Sequence, residues 1–241
     1  MIAHTATSVR YLGVREGLRE KLTGSSDNAS QIQVIDLVGS DAPTPREFAR
    51  QIDPHLPTVV LSTLRLTLND IWGTLEEKLW AITPQAVILR LAPLDLSIPL
   101  LWAWAAPTGA LMTAFAPEGP AWINTLDLAE AIGRLSEDDL ATRAGQAFDV
   151  TGPHRVPMAH LCEVMSITLE VPVKLITSSV EDFIGVMMSN GLPTGTAEWI
   201  ANYQATTSSP GLTDTDVLAA LLGRKPHPAQ LVPQAYQICS Q

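Results

Sequence analysis

The sequence predicts an α/β fold: a truncated Rossmann-like, doubly wound parallel sheet with a small, mostly helical C-terminal part that binds substrate. Short apolar runs of strand length alternate with amphipathic stretches of helical length, which is typical of strand–helix–strand units. The most apolar run, Ala86–Leu91, contains one charge, Arg90, as expected of a strand covered on both faces. Apolar residues make up 46% of the 241 positions, so the chain can bury a substantial core.

The N-terminal half contains four predicted strands, with a helix after each of the first three. The strands are Ile2–Thr7, Gln33–Val38, Thr58–Ser62 and Ala86–Leu91, and the helices are Val9–Leu22, Thr44–Ile52 and Leu68–Ile82. In the last of these helices Glu76, Glu77 and Lys78 indicate the solvent face. This alternation predicts right-handed crossovers and a parallel sheet.

The C-terminal half adds two predicted strands among mainly helical segments. The strands are Ala147–Val150 and Val171–Ile176, and the helices are Leu126–Leu135, Val156–Leu169, Ser178–Ser189, Ala197–Thr206, Thr213–Leu222 and Pro228–Ser240. Asn124 or Thr125 is the expected cap of the first helix. We therefore expect residues 1–121 to form the truncated core and residues 122–241 the remaining strands and the helical part, as one structural unit.

Charge and composition limit the partners. A net charge of -10 gives no basic surface for nucleic acid, and two cysteines favour a reduced, cytoplasmic compartment over a disulfide framework. Between residues 91 and 115 only Asp95 is charged, but Pro93, Pro99 and Pro107 interrupt the stretch too often for a membrane span. It predicts a buried helix and loops that line a pocket for a small apolar substrate, or that pack against a second subunit in a homodimer.

Asp95 is the first candidate for chemistry. Ligands of open α/β sheets bind beyond the carboxyl ends of the strands, and Asp95 follows the strand that ends at Leu91. A carboxylate in such a pocket can act as general acid or base. The alternative is that Asp95 caps the helix that begins near Ser97.

Bulky side chains are the candidates for substrate binding. Apolar and aromatic residues of this kind line small-molecule pockets, although each is individually more often part of a core. The candidates are Trp72, Trp102, Trp104, Phe183, Met187 and Met188. The five histidines are too scattered to predict a metal site, and no Gly-x-Ser-x-Gly elbow predicts a nucleophile.

Six short motifs in the second half follow one another in a recognisable order. They are Ile123–Glu130, Phe148–Pro153, Val171–Val173, Glu181–Phe183, Gly191–Pro193 and Leu221–Pro226. In these motifs the chain resembles the NmrA-like branch of the atypical short-chain dehydrogenases/reductases. Val59–Thr63 is similar to that family's central strand, and Val87–Arg90 to its Thr-Ile-Leu-Arg-Pro strand.

The resemblance also implies a dinucleotide turn of the form Gly-Ala-Thr-Gly-x-x-Gly, onto which Thr5–Tyr11 can be laid without a single glycine. Such a turn needs glycines so that the backbone can approach a pyrophosphate. Arg10 and Tyr11 would fill that space, so we expect no cofactor. The chain also has too few residues between Leu22 and Thr58 for all the family's strands, and Gln33–Val38 matches either the third or the fourth.

We therefore expect a cofactor-independent enzyme that cyclises, isomerises or dehydrates a polyketide-like molecule. Asp95 would be its acid or base, with Tyr11 as helper and Arg10 as a binding residue. Two alternatives remain open. One is an NAD(P)H-dependent quinone or azo reductase with a divergent turn, and the other is a non-catalytic, ligand-sensing regulator of the NmrA type.

Overall fold

The main sheet has five parallel strands in an order that follows the chain. The computed structural model describes residues 10–12, 14, 16–23, 32–38, 50–64, 71–212 and 214–237. The strands are β1 (Arg10–Leu12), β2 (Gln33–Asp36), β3 (Thr58–Thr63), β4 (Val87–Leu91) and β6 (Ala147–Val150). They pair in the order β1-β2-β3-β4-β6, which confirms the predicted parallel α/β sheet.

The strand order identifies which part of a dinucleotide fold is shortened. That fold has the order 3-2-1-4-5-6, in which strand 1 lies beside strand 4. Here β1 pairs with β2 on one side, through Tyr11 and Val34, and among the described residues no strand pairs with its other side. The first four strands, β1 to β4, follow the order 1-4-5-6, and β6 adds a fifth strand beside β4. No described strand corresponds to strand 2 or 3, so β2 corresponds to the fourth strand.

Helices cover both faces of the sheet, as predicted for a doubly wound fold. On one face lie α1 (Glu16–Thr23) and α4 (Thr125–Arg134), whose apolar sides pack on Val34, Val59 and Leu89. On the other face lies α2 (Ile71–Ile82), which packs through Leu79 on Val60 and Ile88. Side chains that alternate along the strands therefore pack into two separate cores, one on each face of the sheet.

One predicted solvent-facing residue is buried instead. Glu76 in α2 is 4% exposed and forms a bidentate ion pair with Arg90 of β4, with a closest N–O distance of 2.7 Å. The hydrogen bonds that Arg90 donates to Glu76 raise the pKa of Arg90. Glu76 therefore lies on the inward side of α2, where it pairs with Arg90, the single charge in β4. Helical periodicity alone did not indicate this.

The C-terminal part contains a second, two-stranded sheet, of which the sequence predicted one strand, at Val171–Ile176, but not the other. Its strands are β5 (Ala110–Thr113) and β7 (Lys174–Thr177), and they pair in parallel. The helices of this part are α3 (Ile98–Ala105), α5 (Glu137–Thr142), α6 (Met158–Leu169), α7 (Val180–Ser189), α8 (Thr194–Thr207), α9 (Val217–Leu222) and α10 (Gln234–Gln237). No helix of the described ranges is both long and apolar enough to cross a membrane.

The last segment has no regular secondary structure before α10 begins at Gln234, which corrects the first half of the helix predicted at Pro228–Ser240; residues 238–240 lie outside the described residues. We call residues 224–236 the C-terminal strap. Its prolines at positions 226, 228 and 233 lack the N–H groups that a helix needs. The strap is tied to the core where Trp102 donates to Leu231 O (3.0 Å) and Asn124 donates to Pro228 O (3.0 Å).

The first helix begins later than predicted, and a strand lies where its start was expected. Ile2–Thr7 lies outside the described residues, and Arg10–Leu12, predicted as helical, forms β1. Helix α1 starts at Glu16. This shift decides where Tyr11 lies.

Candidate functional site

An apolar pocket lies at the carboxyl edge of the main sheet, between the sheet and the C-terminal part. Its volume is about 400 Å³, within the range of small-molecule sites. Val38 follows β2 and Leu94 follows β4, so the sheet side of the pocket lies where ligands of open α/β sheets bind. The opposite side is formed by α8.

Aromatic rings provide much of the lining. Trp199 and Tyr203 are one turn apart on α8 and stack with their ring centroids 5.3 Å apart and an interplanar angle of 12°. Trp104 of α3 and Phe115 also line the pocket. Stacked rings of this kind favour a flat aromatic ligand.

Gln204 is a buried polar residue of the pocket. It is only 3% exposed, and its Oε1 accepts hydrogen bonds from Thr113 Oγ1 and from Ala114 N, each at 2.9 Å. A backbone N–H can only donate, so this contact fixes which end of the amide faces the strand. The Nε2 amino group of Gln204 is the end left for the pocket.

Asp95 is held by hydrogen bonds from two directions. It lies in a 3-10 turn, Asp95–Ser97, and its Oδ1 accepts from the backbone N–H of Thr125 (3.0 Å) and from the Thr125 hydroxyl. Its Oδ2 accepts from Gln230 N in the strap at 3.2 Å. The carboxylate therefore joins the start of α4 to the strap rather than capping α3, and its role as acid or base stays a prediction.

The other predicted residues are not gathered in one place. Trp104 lines the pocket, whereas Trp102 is fully buried in the core against Tyr236. Phe183 and Met187 pack in the core of α7 and α8, and Met188 is 42% exposed. The side chains of Trp72 and Arg10 lie outside the described residues.

Tyr11 lies in the sheet and not at the head of a helix. Its half-buried ring packs against the core of the α1 face, and the Arg19 guanidinium lies 6.0 Å from the ring centroid. Burial raises the pKa of its phenol, and the nearby Arg19 charge opposes that rise. The argument that Tyr11 lies in a phosphate-binding turn therefore does not hold, because Tyr11 is part of β1.

Gly17 gives α1 a close approach to the carboxyl edge. A Cβ at this position would lie 3.1 Å from Leu96 Cδ2, which is tighter than ordinary van der Waals contact. Leu96 in turn lines the pocket. The start of α1 thus packs directly on one of the segments that form the site.

Comparison with known proteins identifies the fold. No family model and no curated protein matches the chain. An NADPH complex of an NADPH-dependent quinone oxidoreductase from Escherichia coli matches 93% of this chain and 81% of its own length, with a TM-score of 0.69 and 18% identity. A Citrobacter sp. triphenylmethane reductase complexed with NADP(H) matches 92% and 96%, with a TM-score of 0.65 and 14% identity.

The negative transcriptional regulator NmrA in complex with NAD matches 90% of this chain and 75% of its own length, with a TM-score of 0.54 and 12% identity. The chain shares the fold of these two reductases and of NmrA. This confirms the resemblance seen in the sequence. At these identities the likeness concerns the fold.

These neighbours also correct the expectation that no cofactor is used. The oxidoreductase and the triphenylmethane reductase are solved with NADPH or NADP(H), and NmrA with NAD. The expectation was wrong: it rested on Arg10 and Tyr11 as bulky residues of a phosphate-binding turn, whereas both residues lie in β1. The cofactor-independent cyclase or isomerase has no support here.

Sequence reasoning missed the pocket residues of α8. Helix Ala197–Thr206 was predicted, but no function was assigned to Trp199 or Gln204. One signal was present: Trp199 and Tyr203 are spaced i, i+4 and so share one helix face. Which surface that face meets depends on tertiary packing.

Proposed function

We propose that this protein is an NAD(P)H-dependent reductase of flat aromatic substrates of the quinone type. The observation that carries the proposal is the aromatic pocket at the carboxyl edge of the sheet, where Trp104, Trp199 and Tyr203 surround space for a planar ring system. Two structural neighbours, the quinone oxidoreductase and the triphenylmethane reductase, support the same substrate chemistry.

The described residues fit the nicotinamide end of such a cofactor. The free N–H groups at the start of α1 and the loops after β2 and β4 meet at one edge of the sheet. Val38, Leu94 and Leu96 would hold the ring on apolar surface, and Gly17 keeps α1 close to it. A bound reduced nicotinamide supplies a hydride.

The chain's own residues have two tasks in this reaction. The stacked pair Trp199 and Tyr203 orients a planar substrate, and the apolar lining excludes water from it. No charged side chain lines the pocket in the described part of the chain, which suits an uncharged acceptor. Specificity then rests on ring shape and on the few polar groups of the lining.

The test is nucleotide oxidation followed at the absorbance of NADPH and NADH, with a series of quinones as acceptors. We expect Trp199→Ala to raise KM for the quinone about tenfold while KM for the nucleotide stays within twofold, because one stacked ring is lost. Ile167→Ala, which removes an exposed apolar side chain on α6, is the matched control and should change neither constant.

Two results would contradict the proposal. Nucleotide binding without oxidation by any quinone would exclude the reductase and favour a regulator of the NmrA type. No binding of either nucleotide, measured by fluorescence titration, would exclude both functions.

A further inference from the structure

We propose that the Gln204 amino group is the carbonyl anchor of the pocket, so that the site selects aromatic ligands that place a carbonyl oxygen against α8. This inference deepens the proposed function, and it rests on that function only in taking the bound ligand to be the molecule that is reduced. The recognition itself needs no cofactor.

The Gln204 amide is fixed from one end only. Its oxygen accepts from Thr113 Oγ1 and from Ala114 N, and rotating the amide by half a turn would bring its amino group against the Ala114 N–H. Its Nε2 has no hydrogen-bond partner among the described residues. Because the Gln204 side chain is almost entirely buried and lines an apolar cavity, a ligand oxygen that enters the cavity can pair with this donor.

The surroundings define the class of oxygen that fits. Every side chain of the described pocket lining is uncharged, and the Ser97 hydroxyl already donates to Leu94 O at 2.8 Å. A carboxylate or phosphate would find no opposite charge there. A neutral carbonyl on an aromatic frame satisfies the Gln204 donor and the stacked Trp199 and Tyr203 together.

The same helix offers a matched control. One turn after Gln204, Ser208 accepts a hydrogen bond from Ala116 N at 2.7 Å and is fully buried. Both residues thus tie α8 to the segment of residues 113–116. Gln204 lines the pocket and Ser208 does not.

The experiment compares two probes of nearly equal shape, 2-acetylnaphthalene and 2-isopropenylnaphthalene, in which a methylene group replaces the carbonyl oxygen, by calorimetry or tryptophan fluorescence without nucleotide. We expect the wild-type protein to bind the ketone about tenfold more tightly. Gln204→Met should bring the two affinities within about twofold of each other by weakening the ketone alone, since it removes the donor. Ser208→Ala should keep the tenfold preference.

A second variant separates the donor from the acceptor. Gln204→Glu at pH 9 keeps an oxygen for Thr113 and Ala114 but presents a carboxylate that cannot donate, so the preference for the ketone should again be lost. This variant decides the matter if Gln204→Met does not fold. A preference that survives in either Gln204 variant, or that is lost equally in Ser208→Ala, would overturn the anchor.

The outcome is independent of the reductase test. Loss of the ketone preference in the Gln204 variants supports the anchor even if no nucleotide is oxidised. If the protein reduces quinones but its preference for the ketone does not depend on Gln204, the reductase is supported and the anchor is rejected.

Discussion

Asp95 is the residue at which a chemical and a structural role can be told apart. Its carboxylate accepts two hydrogen bonds from Thr125 and one from Gln230 N. In Asp95→Asn an amino group replaces one of the oxygens, and it then faces the backbone N–H of either Thr125 or Gln230, which is also a donor. We expect the variant to lose about 1–3 kcal/mol of unfolding free energy in urea, the cost of leaving buried polar groups unpaired.

The matched control for this prediction is Asp138→Asn. Asp138 is exposed in the first turn of α5, and its loss should cost only a few tenths of a kcal/mol (about 0.5 at most). If Asp95→Asn is as stable as wild type while quinone reduction is abolished, the acid–base role is favoured and the structural one rejected. The sequence alone placed Asp95 at the carboxyl edge of the sheet. It could not predict the contact with the strap, because Gln230 lies 135 residues further along the chain.

The C-terminal strap is the element whose attachment should depend on pH. Asp127 of α4 is buried and accepts hydrogen bonds from Arg224 Nη2 (2.7 Å) and from the His227 ring Nδ1 (2.8 Å). Burial alone would raise the pKa of Asp127, but the hydrogen bonds from Arg224 and His227 outweigh it and hold the pKa below its ordinary value. The stability this gives is present above the unfolded pKa of about 4 and is lost as pH falls through the lower folded value.

We therefore expect the melting temperature of the wild-type protein to fall as the pH is lowered below about 4, and Asp127→Asn to flatten this part of the curve. Thermal melts between about pH 2.5 and pH 6 measure the effect. Asp138→Asn again serves as control and should keep the wild-type slope. If the melting temperature of Asp127→Asn falls with pH as steeply as that of the wild type, other carboxylates govern the loss of stability in acid.

At this scale the sequence predicted regular elements better than irregular ones. The β6 strand was predicted with its observed bounds, because apolar residues and a following Thr-Gly-Pro mark it locally. The strap was missed, and so was β5. A strand was predicted at Val171–Ile176 and is observed at Lys174–Thr177, but its pairing with β5, which bridges about sixty residues of chain, was not predicted.

For the whole molecule the informative feature is the shortened sheet edge. The sequence predicted the loss of strands but not which ones, because length alone cannot assign a strand to its neighbours. Pairing of β1 with β2 resolves this, since strand 1 meets strand 4 in a dinucleotide fold. In that fold the residue that selects ribose or its 2′-phosphate follows strand 2, which has no counterpart among the described strands.

The shortened edge predicts weak discrimination between the two nucleotides. We expect NADPH and NADH to bind within about fivefold of each other, a difference of about 1 kcal/mol. At about 100 times Kd either nucleotide should stabilise the protein by about 2.7 kcal/mol, a rise in melting temperature of about 5–10 °C for a chain of this size. Parallel thermal-shift titrations measure both quantities. A preference of a hundredfold for one nucleotide would mean that another segment has taken over the selecting role of strand 2.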